Sequence, residues 1–391
     1  MELYELLKEL VETPGISGDE EPIRAKIIEV LGQQGFTDDD IEVDKLGNLK
    51  VRVRGRSDRP VLAFMAHMDE IGLVVRHVDE DGYLYVENVG MLDVRTIMGQ
   101  PIVFYRRPRY EGEPWRDRMY IGVVGVKPVH LLAEEERRRV PDIRELFVDV
   151  GLHELLRGLG PEEKRRKIRE LGISPGDLGH PVKRLLRMPS FQGQEGDLVV
   201  GRSLDDRAGC AALIMALKEM KGMAKRGELP STVFGVFTTQ EEIGARGARV
   251  AAYGLWTKSE PRVGSPDVVV VVEVTHASGY PGFGAREYAR IELGRGPAIS
   301  RGPPLHPGLS EKIIGLLRDL IGEEPQVKYE SGRRPTDVVE AQVAGTGALA
   351  AIVNIPLKYM HTGVEVASLR DIETTAKLLV EIARRAGEFC S

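Results

Sequence analysis

A chain of 391 residues exceeds one ordinary domain, so two domains are the first expectation. With 42% hydrophobic and 29% charged residues it reads as soluble and globular, which excludes a disordered or low-complexity chain. Two cysteines, Cys210 and Cys390, exclude a disulfide scaffold, a cysteine-rich zinc module and an iron–sulfur cluster, and a formal charge of −6 leaves no electrostatic footprint for nucleic acid.

Apolar residues recur at helical spacing over residues 2–11 and 20–33, with the Pro- and Gly-bearing loop 13–18 between them. The N-terminal stretch has neither the basic start nor the apolar run of a signal peptide. The longest apolar run, 268–272, is far short of the roughly 20 residues of a membrane span, and a cytoplasmic protein is expected. Strand-like segments follow at Ile41–Val43, Leu49–Val53 and 61–66, the last ending on His67-Met68-Asp69-Glu70. Short segments of strand composition at 73–77, 83–86, 102–105 and 120–126 then suggest a small all-β unit. Two charged stretches, 134–139 and 162–167, mix both signs and read as solvated helix faces rather than a basic patch. Beyond Gly201 the alternation of helix and strand resumes: helices at 208–220, Arg246–Tyr253, 309–320 and 369–389, and strands at Ser231–Thr238, 268–274 and 349–355. Strands apolar throughout and alternating with helices predict an α/β fold with a mixed, largely parallel sheet covered on both faces. The β-rich middle reads as an insert, with the α/β domain at 1–70 and 200–391 and the inserted domain at 71–199.

In open α/β sheets, ligands bind beyond the carboxyl ends of the strands. His67 and Asp69, Glu241 and Glu242, Glu273, and His361 all follow apolar strands at that end, and the Asp205-Asp206 pair sits at a loop-to-helix entry. Imidazoles and carboxylates are the usual ligands of catalytic zinc and of paired divalent metals. On a strand, His67 and Asp69 leave the same face, so the carboxylate can orient a metal-binding imidazole. Taken singly, His67 also reads as a core histidine, Asp205 as a helix cap and His361 as a surface residue. Glu241-Glu242 at the end of a buried strand and Glu273 inside a valine run are harder to place without a cation, because a buried unpaired carboxylate is costly. His77, His130, His153, His180 and His306 sit in polar or turn-like contexts that predict exposure. Together these residues point to a binuclear hydrolase.

Four ordered motifs, AHMDEIG at 66–72, SLDDRAG at 203–209, TTQEEIGARG at 238–247 and KYMHTG at 358–363, with TPGISGDE at 13–20, resemble the TET-type metallo-aminopeptidases. These are the glutamyl and leucyl aminopeptidase family of the MH clan, some of whose members carry an endoglucanase label. The resemblance implies an α/β catalytic domain interrupted by a small β-barrel dimerisation domain, and a homo-oligomer reaching a dodecamer. It also implies two divalent ions, zinc or cobalt, and peptide substrates with a free N-terminus. His67 and Glu273 would bind one metal, Glu242 and His361 the other, and Asp205 would bridge them. Asp69 would orient His67 and Glu241 would be the general base toward a metal-bridging hydroxide. Glu273 stands in an EVTH stretch where the family usually has Asp. Glu287, Arg333, Arg334 and Asp337 are candidates for lining the specificity pocket. Two other readings stand beside this one: a related binuclear deacylase or carboxypeptidase, and a metal-binding scaffold without catalysis. The endoglucanase label fits less well, since metal-bound carboxylates do not form the free acid–base pair of a glycosidase.

Overall fold

A computed structural model describes residues 2–110, 112–189, 197–283, 289–332 and 336–389. Glu287, Arg333, Arg334 and Cys390 lie outside the described residues. The chain divides into two compact units, one of Met1–Asp69, Arg184–Met360 and Val364–Ser391, the other of Glu70–Lys183 and His361–Gly363.

The first unit opens with helices α1 (Leu3–Glu12) and α2 (Glu21–Gln33) and strands β1 (Ile41–Val43), β2 (Leu49–Val53) and β3 (Ser57–His67). The chain then builds the second unit from β4 (Gly72–Val78), β5 (Leu84–Val89), β6 (Pro101–Tyr105), β7 (Met119–Val124), α3 (Glu134–Arg138), β8 (Phe147–Asp149), α4 (Leu152–Leu156), α5 (Pro161–Leu171) and β9 (Leu178–Pro181). It returns through β10 (Leu186–Arg187), β11 (Leu198–Gly201), α6 (Leu204–Lys225), β12 (Ser231–Thr238), α7 (Arg246–Tyr253), β13 (Val268–His276) and β14 (Ala298–Arg301). Last come α8 (Pro307–Ile321), β15 (Gln326–Tyr329), α9 (Asp337–Ala341), β16 (Leu349–Lys358), β17 (Glu365–Ser368) and α10 (Leu369–Arg384). The expected border at 199 differs from the compact unit's end at Lys183, because β10 pairs with β11 and already belongs to the large sheet.

That sheet runs β1-β2-β12-β3-β13-β16-β17-β11-β10, with β14 joined to β16 and β15 to β14. Its centre, β12-β3-β13-β16, is parallel, and the flanking pairs are antiparallel. Alternation along β3 separates two cores: Leu62, Phe64 and Ala66 pack with α1, α2, α6, α8 and α10, whereas Val61, Ala63 and Met65 pack with α7 and α9. Both faces are covered, so the central strands carry no polar alternation, and β13 is buried from Val268 through Thr275. Among the described residues no helix is long and apolar enough to cross a membrane.

The second unit is a closed barrel in the order β4-β5-β8-β7-β6-β9, filled by Leu73, Val75, Leu84, Val86, Ile102, Phe104, Val124 and Val148. Closure removes the sheet edges of so small a unit. Helices α3 and α5, which contain the charged stretches, bury no residue and pair their own charges, as in Arg138–Glu134 and Arg165–Glu162. His77, His130 and His306 are exposed, and His153 is half-buried beside the Tyr83 ring. His180 departs from expectation. It is buried, because β9 closes the barrel against β6. Both its ring nitrogens find partners: Nε2 lies 2.9 Å from the Tyr105 hydroxyl and Nδ1 lies 2.8 Å from the Pro181 carbonyl.

Candidate metal centre

Strand register assembles the site. Thr238 on β12 is aligned with His67 on β3, and Val271 on β13 with Met65. Two residues beyond the Met65–Val271 pair, period-two alternation brings His67 and Glu273, with Thr238 beside His67, to the carboxyl end on the face that carries α7 and α9. The start of α6 supplies Asp205 and Asp206. Both have non-helical backbone angles, and the bond between them is cis.

His67 is buried, with Nδ1 3.2 Å from the backbone carbonyl of Asp69 and 3.5 Å from its Oδ1. A proton on Nδ1 leaves Nε2 directed at Asp205 Oδ1, 3.0 Å away, and Glu273 Oε1, 3.7 Å away. One ligand atom each from His67, Asp205 and Glu242 lies within 4.8 Å of the others, and so does one each from His67, Asp206 and Glu273. Asp206 Oδ1 accepts the Gly209 N–H at 2.9 Å, while its buried Oδ2 has no hydrogen-bond partner. Asp69, fully buried, accepts the backbone N–H groups of Glu241 at 2.9 Å and Glu242 at 3.2 Å, and the Ser17 hydroxyl at 2.5 Å. His361 stands in the turn after β16 with a left-handed backbone (φ 61) and groups with the second unit, whereas both ligand clusters belong to the first.

The electrostatics are those of crowded, buried carboxylates. Burial disfavours charge on His67, yet the Asp205, Asp69 and Glu273 carboxylates outweigh it and hold the imidazole well above its ordinary value. Burial pushes the Glu241 carboxyl well up; His67 opposes this, and Glu273, Asp337 and Glu242 add to it. Asp206 is raised by burial and by the charges of Glu273 and Asp205, against His67. Burial also opposes ionisation of Asp69, but its hydrogen bonds and charge interaction with His67, together with the Ser17 and Glu241 donors, hold it below the usual range. So many carboxylates in one buried place repel one another until a cation joins them.

The sequence reading used only Asp205 of the aspartate pair; Asp206 enters because the start of α6 turns it toward His67 and Glu273. Its adjacency to Asp205 was the available signal. Asp337, expected near a specificity pocket, is buried at 1% exposure and accepts the Thr238 hydroxyl. Burial lifts its carboxyl to about 7, with the charges of Glu273 and Asp69 adding to the shift.

The chain matches the family model for M42 glutamyl aminopeptidase over residues 47–378. It belongs to the M42 glutamyl aminopeptidase family. Like that family, the protein is a peptide hydrolase of the aminopeptidase type. The lysyl aminopeptidase of Pyrococcus furiosus is 32% identical to this M42 chain over 381 residues, covering 96% of this chain and 95% of the relative. Among solved structures, a TET aminopeptidase from a marine-sediment Thaumarchaeota archaeon superimposes with a TM-score of 0.80 at 29% identity, covering 98% and 96% of the two chains. The TET1 peptidase of Pyrococcus horikoshii, which can assemble into a tetrahedron or a large octahedral shell, gives a TM-score of 0.75 at 28% identity, covering 98% and 99%.

Proposed function

We propose that this M42 chain removes N-terminal residues from peptides with two divalent metal ions held at the carboxyl end of the central strands. The observation that carries the reading is the donor set around His67, with Asp205 and Glu242 close to it in one grouping and Asp206 and Glu273 in the other; the imidazole would serve one ion, and the carboxylates would supply the rest. The donor set fits such ions. Imidazole and carboxylate suit zinc or cobalt, the orphaned Asp206 Oδ2 lacks a partner that a cation would supply, and a shared bridge from the aspartate pair suits two adjacent ions. Asp205 is the proposed bridge. His361 completes the proposed set on the strength of its KYMHTG motif. Glu273, where the family resemblance implies Asp, has one more methylene and can still coordinate.

Bound metals would supply Lewis acidity that makes water nucleophilic near neutral pH and stabilises the developing oxyanion. The chain's own residues do the rest. Asp69 receives the N–H groups of Glu241 and Glu242 and lies beside His67, so one carboxylate sets the backbone of the proposed base and the position of the imidazole. Glu241, whose backbone N–H is fixed by Asp69, is the proposed group that takes a proton from the attacking water and passes it to the leaving amine. We also propose a homo-oligomer of the kind the TET1 relative forms. Met119, Ile121 and Val123, alternate residues of β7, form an exposed apolar row on the barrel that supports this reading.

A matched pair of peptides tests the exopeptidase reading. The protein cleaves the first bond of the peptide with a free N-terminus, and acetylation of that amine removes the cleavage. Equal cleavage of both would assign the site to a carboxypeptidase or an endopeptidase, and release of the acetyl group alone would assign it to a deacylase.

A further inference from the structure

The TPGISGDE segment and Asn48 have no place in the mechanism above, yet both reach the strand end that carries Glu241. Beyond β12 the backbone leaves the sheet, and four successive N–H groups find side-chain acceptors. Thr239 N–H donates to Asn48 Oδ1 at 3.0 Å, Gln240 N–H to Glu20 Oε1 at 3.2 Å, Glu241 N–H to Asp69 Oδ1 at 2.9 Å and Glu242 N–H to Asp69 Oδ2 at 3.2 Å. All three acceptor residues are buried, at 0% exposure for Asn48 and Asp69 and 4% for Glu20. Each is fixed in turn. Asn48 donates to Asp44 Oδ2 and the Gly247 carbonyl, Glu20 Oε1 also accepts the Gly18 N–H at 2.8 Å, and Asp69 Oδ2 accepts the Ser17 hydroxyl.

Close packing leaves little play. A Cβ at Gly247 would meet the Thr239 carbonyl at 2.3 Å and Asn48 Oδ1 at 2.4 Å; one at Gly15 would meet Ile23 at 2.5 Å and Arg207 at 2.6 Å. Gln240 is held at φ 55, a left-handed conformation uncommon for a residue with a side chain. An external acceptor for its N–H offsets the cost of holding it there.

We propose that Glu20 and Asn48, with Asp69, form an acceptor clamp that positions the Thr239–Glu242 backbone, aiming Glu241 and Glu242 into the metal centre. Glu20 and Asn48 act through that backbone and are positioning residues. The inference rests on the assignment of Glu241 and Glu242 above. A displacement of about 1 Å at a reacting group can cost about a hundredfold in rate, so slackening one of four clamp points is expected to lower kcat by about tenfold and leave KM near its wild-type value.

Two variants of Glu20 separate reach from charge. Glu20→Asp keeps the charge but withdraws the oxygen by one methylene; Glu20→Gln loses the charge but keeps an oxygen at the same reach. The readouts are kcat, KM, metal content and hydrogen exchange in peptides covering residues 239–242. The clamp requires faster exchange and lower kcat in Glu20→Asp, with KM and metal content unchanged and both effects reversed in Glu20→Gln. Asn48→Ala, losing the neighbouring acceptor, accelerates exchange in the same peptides. Wild-type exchange in Glu20→Asp overturns the proposal, as does a Gln variant as impaired as the Asp variant. Full hydrolysis by a Glu241→Gln control would reject the base assignment instead, and the exchange measurements still decide the clamp.

Discussion

Replacing Glu241 by Gln lowers kcat by roughly a hundred- to ten-thousand-fold, the range of a single general acid–base group. The substitution is nearly isosteric. It keeps the backbone N–H that Asp69 Oδ1 receives, and it leaves His67, Asp205, Asp206, Glu242 and Glu273 untouched. Metal content and the unfolding transition therefore stay at wild-type values while turnover collapses. Glu242→Gln behaves differently, because Glu242 belongs to a ligand cluster and its loss weakens metal retention as well as turnover. Steady-state kinetics with metal analysis on both variants distinguishes a base from a ligand. A Glu241→Gln enzyme within twofold of wild type would remove Glu241 from the mechanism.

Lys50→Met destabilises the first unit by about 3 kcal/mol, the lower end for breaking a buried ion pair. Lys50 is 1% exposed, and its ammonium lies 2.8 Å from Glu42 Oε1 and 2.7 Å from the Gly254 carbonyl. The lower end applies because Glu42 keeps the Thr257 N–H, the Thr257 hydroxyl and the Lys258 N–H. The pair also sets a pH dependence. Burial opposes ionisation of Glu42, but the hydrogen bonds from Lys50, Thr257 and Lys258 outweigh it and hold the carboxyl below its ordinary 4.5. A depressed carboxyl contributes stability that is complete above the unfolded value and is lost as pH falls through the folded one. Stability accordingly drops below pH 4.5 in the wild type, and the drop is shallower in Lys50→Met. Denaturant unfolding between pH 3 and 7, on the order of one-unit steps, checks both effects. Identical pH profiles for the two proteins would show that the pair does not control acid stability.

Wherever burial imposed a pattern, the fold was legible in the residues. The valines of β13 and the apolar end of β3 read as central strands because both faces are covered. Strands β8, β9, β11, β14, β15 and β17 span three or four residues each, too few for a period of two to show. Helix α8 starts at Pro307, two residues before its apolar spacing predicts, because His306 Nδ1 accepts the Leu309 N–H and serves as the cap. Helix α10 ends at Arg384, where the chain passes into the short turn Ala386–Glu388 although apolar residues continue to Phe389. Of the residues that cluster, His67, Glu242 and Glu273 were visible in the sequence from their places at the ends of apolar strands. For Asp206 the adjacency to Asp205 was the signal present, but its meeting with Glu273 depends on where α6 enters. Glu20 and Asn48 were further from view, at 220 and 191 residues from the N–H groups they hold. Such pairings follow from tertiary packing, and no local pattern signals them.

Metal occupancy measured against turnover is the most direct test of the central claim. Stripped of metal by chelation and titrated with zinc or cobalt, the protein is predicted to bind two ions per chain. Cleavage of a peptide with a free N-terminus returns as both sites fill and is absent in metal-free protein. Full turnover without metal, or with His67→Ala protein that binds none, would contradict the account.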